Sequence, residues 1–193
     1  GRIVDFGGKN DGRFTIELHN PKLPLPFSIS APGYVPFVSQ MTADSMDVKY
    51  RLQRVTELSF PSNLFPLTIT DPSSGAVVAI PAEGLQGPAG APPNGEIVLA
   101  IRFIDPARQP MPGEDGALGA KGEPLVLDTF GVLYTSARDG MGNPLTLKPG
   151  VVMTVVVPLT LDRVASAPSE VGLWRLDPTK SAWVPEMGPS GMP

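Results

Sequence analysis

Polar and apolar residues alternate along much of this chain, and this pattern constrains its fold more than any other feature. A period of two residues is typical of a strand with one buried face. The pattern is clearest over residues 13–18 and 46–55, and no stretch has a convincing helical period. Further strands are predicted where Val, Ile, Thr or aromatic residues concentrate, at 27–29, 67–70, 76–80, 96–104, 130–137, 151–158, 171–176 and 181–184.

Turn-forming residues separate these predicted strands. The chain has 21 Gly and 24 Pro, most of them at strand ends or in two segments, 83–95 and 106–124, that we interpret as long loops. Short strands with such punctuation are typical of antiparallel sandwiches and barrels. We therefore predict an all-β fold of two antiparallel β-sandwich modules, the first incomplete, over residues 1–55 and 56–193.

The last predicted hairpin has a specific register. A turn centred on Pro178 and Thr179 places Leu176 opposite Ser181 and Trp174 opposite Trp183. The two tryptophans then form a directly opposed pair on one face of the sheet.

Composition excludes several classes of site and partner. The chain has no Cys, so neither disulfides nor thiolate chemistry is available, and its single His, His19, rules out a metal cluster built from histidines. A formal charge of −4 gives no reason to expect a nucleic-acid partner. The longest apolar run, residues 151–161, is shorter than the roughly 20 residues of a membrane helix, so no membrane insertion is predicted.

Two parts of the first segment resemble a known family. Residues 10–16 (NDGRFTI) and 27–36 (FSISAPGYVP) resemble the later strands of carboxypeptidase regulatory-like domains. That family is a small transthyretin-like β-sandwich without catalytic residues. Before the first motif the chain offers only one short apolar segment, residues 2–6, so the resemblance implies a truncated sandwich or one that another segment completes.

The rest of the chain resembles a second kind of module. Residues 76–82 (AVVAIPA) and 171–184 (VGLWRLDPTKSAWV) are similar to the opening and closing strands of a β-sandwich that follows such domains in bacterial surface proteins, cartilage intermediate layer proteins and astroprincin-like proteins. The resemblance implies a fold and an extracellular or cell-surface setting, and it implies no reaction.

These observations favour a non-enzymatic structural or adhesive module of a larger extracellular protein. Strand edges and long Gly/Pro-rich loops supply surfaces for contact with other protein chains, or with other domains of the parent protein. The missing first strands add the hypothesis of strand completion in an assembly or filament.

A carbohydrate-binding module is the alternative. In it, exposed aromatic side chains stack on sugars, and the candidate contact residues are Tyr34, Tyr134, Trp174 and Trp183. This hypothesis predicts that some of these side chains form an exposed row. We expect no cofactor, and calcium is the one candidate. Residues 139–143 offer oxygen ligands in a Gly-rich turn, but the requirements of a hairpin turn alone also explain these residues.

A hydrolase is the third hypothesis. Paired acids at Asp44 and Asp47, or at Glu114 and Asp115, would have to face each other across a cleft. Acids in loops are usually solvated, and His19 has no accompanying nucleophile motif. We therefore expect no catalytic residues.

Overall fold

The computed structural model describes residues 22–42, 50–113, 116–159, 161–165 and 167–186. Over these residues the fold is all-β, as predicted, and its only helical elements are a 3₁₀ turn at Pro88–Gly90 and one α-helical turn, α1, at Leu161–Val164. The strands are β1 Leu25–Ile29, β2 Phe37–Met41, β3 Thr56–Phe60, β4 Leu67–Thr70, β5 Val77–Ile80, β6 Leu85–Gln86, β7 Ile97–Ile104, β8 Gly116–Leu118, β9 Pro124–Val126, β10 Val132–Asp139, β11 Pro144–Leu147, β12 Thr154–Val156, β13 Trp174–Asp177 and β14 Ala182–Pro185.

Within the described ranges the strands form four sheets. Their orders are β3-β7-β10-β11-β6, β12-β5-β4, β13-β14-β8-β9 and β1-β2. Every strand pair is antiparallel except β8 with β14. The architecture is that of a β-sandwich-type fold with several antiparallel sheets.

The first core lies between the five-stranded and the three-stranded sheets. It forms because alternate residues of the facing strands are large and apolar, so each strand presents one apolar face. Each fully buried Val, Leu or Ile contributes about 1.5–3 kcal/mol. Its buried members are Leu67, Ile69, Val78, Ile80, Leu85, Ile97, Leu99, Ile101 and Leu145.

The second core joins the end of the five-stranded sheet to the four-stranded sheet. Its buried members are Val35, Ile104, Ala117, Val132 and Trp183. The predicted module boundary follows residue 55. Val35 lies before this boundary and the other members lie after it, so residues from both predicted modules share this cluster. The division into two modules stays a prediction.

Three of the sequence-based expectations about loops and strands, those for residues 83–95, 106–124 and 46–55, are wrong in detail. The segment 83–95 contains β6 and the 3₁₀ turn, and the segment 106–124 contains β8. β8 forms because Ala117, opposite Trp183 in the parallel pair, is small enough to pack in the second core, which outweighs the weak strand propensity of its Gly and Ala. Of the strand predicted at 46–55, residues 50–55 form only an isolated bridge at Arg54, and 46–49 lie outside the described residues, as does the strand predicted at 13–18.

The register predicted for the last hairpin is wrong by two residues. Leu176 lies opposite Trp183, and Trp174 lies opposite Pro185. The loop has four residues because the Asp177 carboxylate accepts hydrogen bonds from the Thr179 N–H at 2.9 Å and the Thr179 Oγ1–H at 2.6 Å, and Ser181 then takes a positive φ of 48°. A shift of two residues preserves the face, so both tryptophans still lie on the same side.

Candidate functional site

The four predicted aromatic contact residues separate into two groups. Tyr34 is 40% exposed, Tyr134 is partly buried, and both line one cleft. Trp183 is only 7% exposed and packs in the second core, with Trp174 partly buried against it. The structure therefore brings the two tyrosines together, and the four residues do not form one exposed row.

The cleft that the tyrosines line, here called the tyrosine cleft, lies on the outer face of the five-stranded sheet. Its volume is about 360 Å³. Glu57 of β3, Ala100 of β7 and Ser136 of β10 are in register across its floor. Ala100 and Ser136 have short side chains, and this leaves space between the larger groups around them.

The loop over residues 30–36 forms one wall of this cleft. The Tyr34 N–H donates to the Ala31 carbonyl at 3.1 Å, and the Val55 N–H donates to the Gly33 carbonyl at 2.9 Å. Gly33 has a φ of 78°, a conformation that favours glycine. The backbone on both sides of Tyr34 is therefore fixed, while its ring stays exposed at the mouth of the cleft.

An ion pair between Arg138 of β10 and Glu57 of β3 lies at the edge of the cleft floor. The guanidinium donates two hydrogen bonds to the carboxylate, at 2.8 and 3.1 Å. The hydrogen bond from Arg138 holds the pKa of Glu57 below its ordinary value, and the same bond raises the pKa of Arg138. Both groups are charged at neutral pH, so the cleft offers donors and acceptors with no net charge from the pair.

Sequence reasoning missed Glu57 and Arg138. Tyr134, Ser136 and Arg138 alternate along β10 and so share one face, a signal that was available in the sequence. The partnership with Glu57 was not available, because it depends on β3 and β10 lying on either side of β7.

A second surface consists of residues 152–159, here called the β12 edge. β12 pairs with β5 on one side and has no strand partner on the other among the described residues. Val155 is 40% exposed and Val156 is 56% exposed, and Val152, Val157 and Leu159 are exposed as well. The segment contains no charged residue.

Three of the other outer strands carry features that discourage pairing with another chain, whereas β4 and β6 contain neither a charge nor a proline. β3 contains Glu57, β13 contains Arg175 and Asp177, and β9 begins with Pro124. Charges and prolines on edge strands are known devices against association between sheets. The β12 edge has no charge, and its proline, Pro158, lies beyond the paired residues.

The candidate calcium site, residues 139–143, is a turn in which the Asp139 carboxylate accepts hydrogen bonds from the turn itself. Asp139 Oδ1 accepts hydrogen bonds from the N–H groups of Met141 at 3.0 Å and Asn143 at 2.8 Å, and Oδ2 accepts one from Asn143 Nδ2 at 3.1 Å. These bonds, above all that from the Asn143 side chain, lower the pKa of Asp139. In the part of the chain that the structure describes, no three or more His, Asp or Glu side chains form a group that could hold a metal ion.

Asp71 at the end of β4 is the acid most removed from solvent among the described residues. Its side chain accepts hydrogen bonds from the Ser73 N–H and Oγ–H, the Ser74 Oγ–H and the Phe103 N–H. Burial alone would raise its pKa, but these bonds lower it below the ordinary value. The carboxylate thus fastens the β4–β5 turn to β7, which is a structural task.

The remaining candidates for chemistry lie outside the described residues. They are His19, Asp44, Asp47, Glu114 and Asp115. Across the described ranges, no helix is both long enough and apolar enough to cross a membrane.

Comparison with protein-family models, with characterised proteins and with solved structures found no match. The resemblances of residues 10–16, 27–36, 76–82 and 171–184 therefore stay predictions.

Proposed function

We propose that this chain is a non-enzymatic structural or adhesive module that acts through contacts with other protein chains. The β12 edge is the observation that carries the proposal. A strand edge presents unpaired N–H and C=O groups that another strand can bind, and here exposed valines accompany them.

The partner we propose for the β12 edge is the same edge of a second copy. In an antiparallel pair about a two-fold axis at Val155, Thr154 lies opposite Val156 and Met153 lies opposite Val157. No like charges meet, because the segment is uncharged. The two three-stranded sheets then form one continuous six-stranded sheet with the order β4-β5-β12-β12-β5-β4.

The expected association is weak when copies are free in solution. Each cross-strand pair contributes about 0.2–1 kcal/mol, and only a few pairs form. Copies held close together in one assembly would associate more strongly, because linkage raises the effective concentration. A structural module repeated along a surface assembly fits this behaviour.

The proposed setting is a larger extracellular or cell-surface protein. Its support is the resemblance of residues 76–82 and 171–184 to sandwich modules of such proteins, together with the absence of cysteine and of any Asn-x-Ser/Thr sequon, which favours a microbial surface protein. The strand predicted at 13–18 belongs to the same hypothesis of strand completion, but it lies outside the described residues.

Single-cysteine cross-linking tests the proposed pairing. The chain has no Cys, so Val155→Cys introduces the only thiol. Residues opposite each other in antiparallel strands have Cα atoms about 4.5–5.5 Å apart, within the range of a disulfide. We expect mild oxidation to convert Val155→Cys largely into a covalent dimer, visible by non-reducing electrophoresis.

Val126→Cys is the matched control. Val126 is more exposed than Val155 and lies on β9, an outer strand that begins with a proline. We expect only slow, collisional cross-linking of this variant. Equal rates for the two variants, or no dimer from Val155→Cys, would contradict the pairing.

A further inference from the structure

We propose that the tyrosine cleft binds a neutral saccharide. The site goes beyond the proposed protein contacts, because it uses Tyr34, Tyr134, Glu57 and Arg138 on the outer face of the five-stranded sheet. The first core separates this face from the sheet that carries the β12 edge. The two surfaces can therefore be tested independently.

The tyrosines supply the apolar part of the site. Tyr34 presents an exposed ring on a loop whose backbone is held by hydrogen bonds on both sides, so little ordering is needed when a ligand binds. Tyr134 packs partly in the second core, which fixes its position. Rigid aromatic rings that line a cleft suit the C–H face of a pyranose, which is flat and apolar.

The ion pair determines which ligand charge the cleft accepts. A carboxylate ligand would be attracted by Arg138 but repelled by Glu57, whose oxygens lie 2.8 and 3.1 Å from the guanidinium nitrogens. A cationic ligand would be attracted by Glu57 but repelled by Arg138. A neutral ligand avoids both, and it leaves the bidentate pair intact.

The hydrogen-bonding chemistry distinguishes a saccharide from a peptide. Arg138 retains N–H donors beyond the two bound to Glu57, the carboxylate retains acceptor sites, and Ser136 offers a hydroxyl at the floor. Neighbouring sugar hydroxyls both donate and accept, so one pair of them can satisfy the arginine and the glutamate together. A proline-rich peptide offers carbonyl acceptors but few donors, and would leave Glu57 without a partner from the ligand.

The cleft volume of about 360 Å³ limits the ligand to a short segment. It lies near the lower end of the roughly 300–1,000 Å³ range of ligand pockets. We therefore expect the site to bind a few sugar units of a longer chain, with modest affinity.

The test is titration of the whole chain with neutral oligosaccharides. Hexasaccharides of β-1,4-glucan, α-1,4-glucan, β-1,4-xylan and β-1,4-mannan are added in turn, and backbone amide shifts are followed by NMR. We expect at least one of them to shift the amides of residues 31–36 and of β10 in a saturable way. An oligogalacturonate and a proline-rich peptide are the competing probes, and preferential binding of either one overturns the proposal, as does the absence of binding by all four neutral sugars.

Variants assign the binding to the cleft. Tyr34→Ala should weaken binding about tenfold, the upper range for one aromatic contact, while Tyr34→Phe retains most of it. Phe65→Ala is the matched control, because Phe65 is an exposed ring outside the cleft, and it should leave binding unchanged. The double variant Glu57→Gln/Arg138→Gln should also weaken binding while the amide spectrum stays that of a folded protein. Equal loss in Phe65→Ala and Tyr34→Ala would overturn the assignment.

Discussion

Asp71, in the turn after β4, and Phe103, on β7 of a different sheet, are joined by a hydrogen bond of 2.8 Å from the Phe103 N–H to Asp71 Oδ2. Asp71 follows β4 at the edge of the three-stranded sheet, and Phe103 belongs to β7 of the five-stranded sheet. The side chain of Asp71 is 0% exposed, so the bond crosses the sandwich in a dry environment. This bond helps to fix how the two sheets are positioned.

Removing this carboxylate should destabilise the fold strongly. Asp71→Ala leaves the Phe103 N–H and the Ser73 and Ser74 groups without their acceptor, at a cost of about 3 kcal/mol in the free energy of unfolding. The measurement is urea denaturation at pH 7. Asp128→Ala, which removes an exposed acid paired with Arg163, should cost less than about 1 kcal/mol. Similar losses for the two variants would refute the role of Asp71.

The same bonds make stability depend on acid pH. The pKa of Asp71 is lowered from its ordinary 3.8, so the stability it contributes is fully present above that value. It is lost as the pH falls below 3.8 through the folded-state pKa. Glu57, Asp139 and Asp177 also have lowered pKa values and contribute in the same direction.

Comparison with Asp71→Asn isolates the contribution of Asp71. The free energy of unfolding of this variant, measured between about pH 7 and pH 2, should fall less steeply in acid than that of the native chain, because one of the titrating groups is gone. Parallel curves for the two proteins would show that Asp71 does not titrate as described.

Gly131 lies against the ring of Phe103, so a side chain at this position should destabilise the fold. A Cβ atom at Gly131 would overlap the Cε2 and Cζ atoms of Phe103, which is nearly buried. We expect Gly131→Ala to lower the free energy of unfolding by about 1–3 kcal/mol, as overpacking does in other cores. Gly116→Ala is the control, because a Cβ there meets no atom within 4 Å and φ is not positive. The two thermal unfolding midpoints should therefore differ clearly, with Gly131→Ala the lower.

The strands that could be predicted are those whose own residues have a pattern typical of a strand. β4, β5, β7 and β10 alternate or concentrate β-branched residues, and all four lie close to their predicted positions. β8 was missed because its Gly-Ala-Leu sequence favours no strand by itself. Its place depends on Ala117 packing opposite Trp183, a contact between residues far apart in the chain.

The candidate site also depends on contacts between distant parts of the chain, which the sequence alone does not give. Tyr34 and Tyr134 were selected from their chemistry, but their common cleft depends on the order β3-β7-β10 and on the loop fixed at Gly33. The register of the last hairpin depended on hydrogen bonds of the Asp177 side chain, which lengthen the turn to four residues. A few hydrogen bonds decide the length of such a turn and therefore the register of its strands. Hydrophobic periodicity contains no information about these bonds.

Sedimentation equilibrium of the native chain, Val155→Lys and Val126→Lys tests the central claim most directly, namely that the β12 edge mediates contact between chains. Two lysines opposite each other at the axis would repel, whereas lysine at Val126 makes the same change in net charge on β9. We predict a concentration-dependent monomer–dimer equilibrium for the native chain and for Val126→Lys, and a monomer at all concentrations for Val155→Lys. A native chain that stays monomeric at the highest concentration, or a Val155→Lys variant that dimerises like the native chain, would contradict the claim.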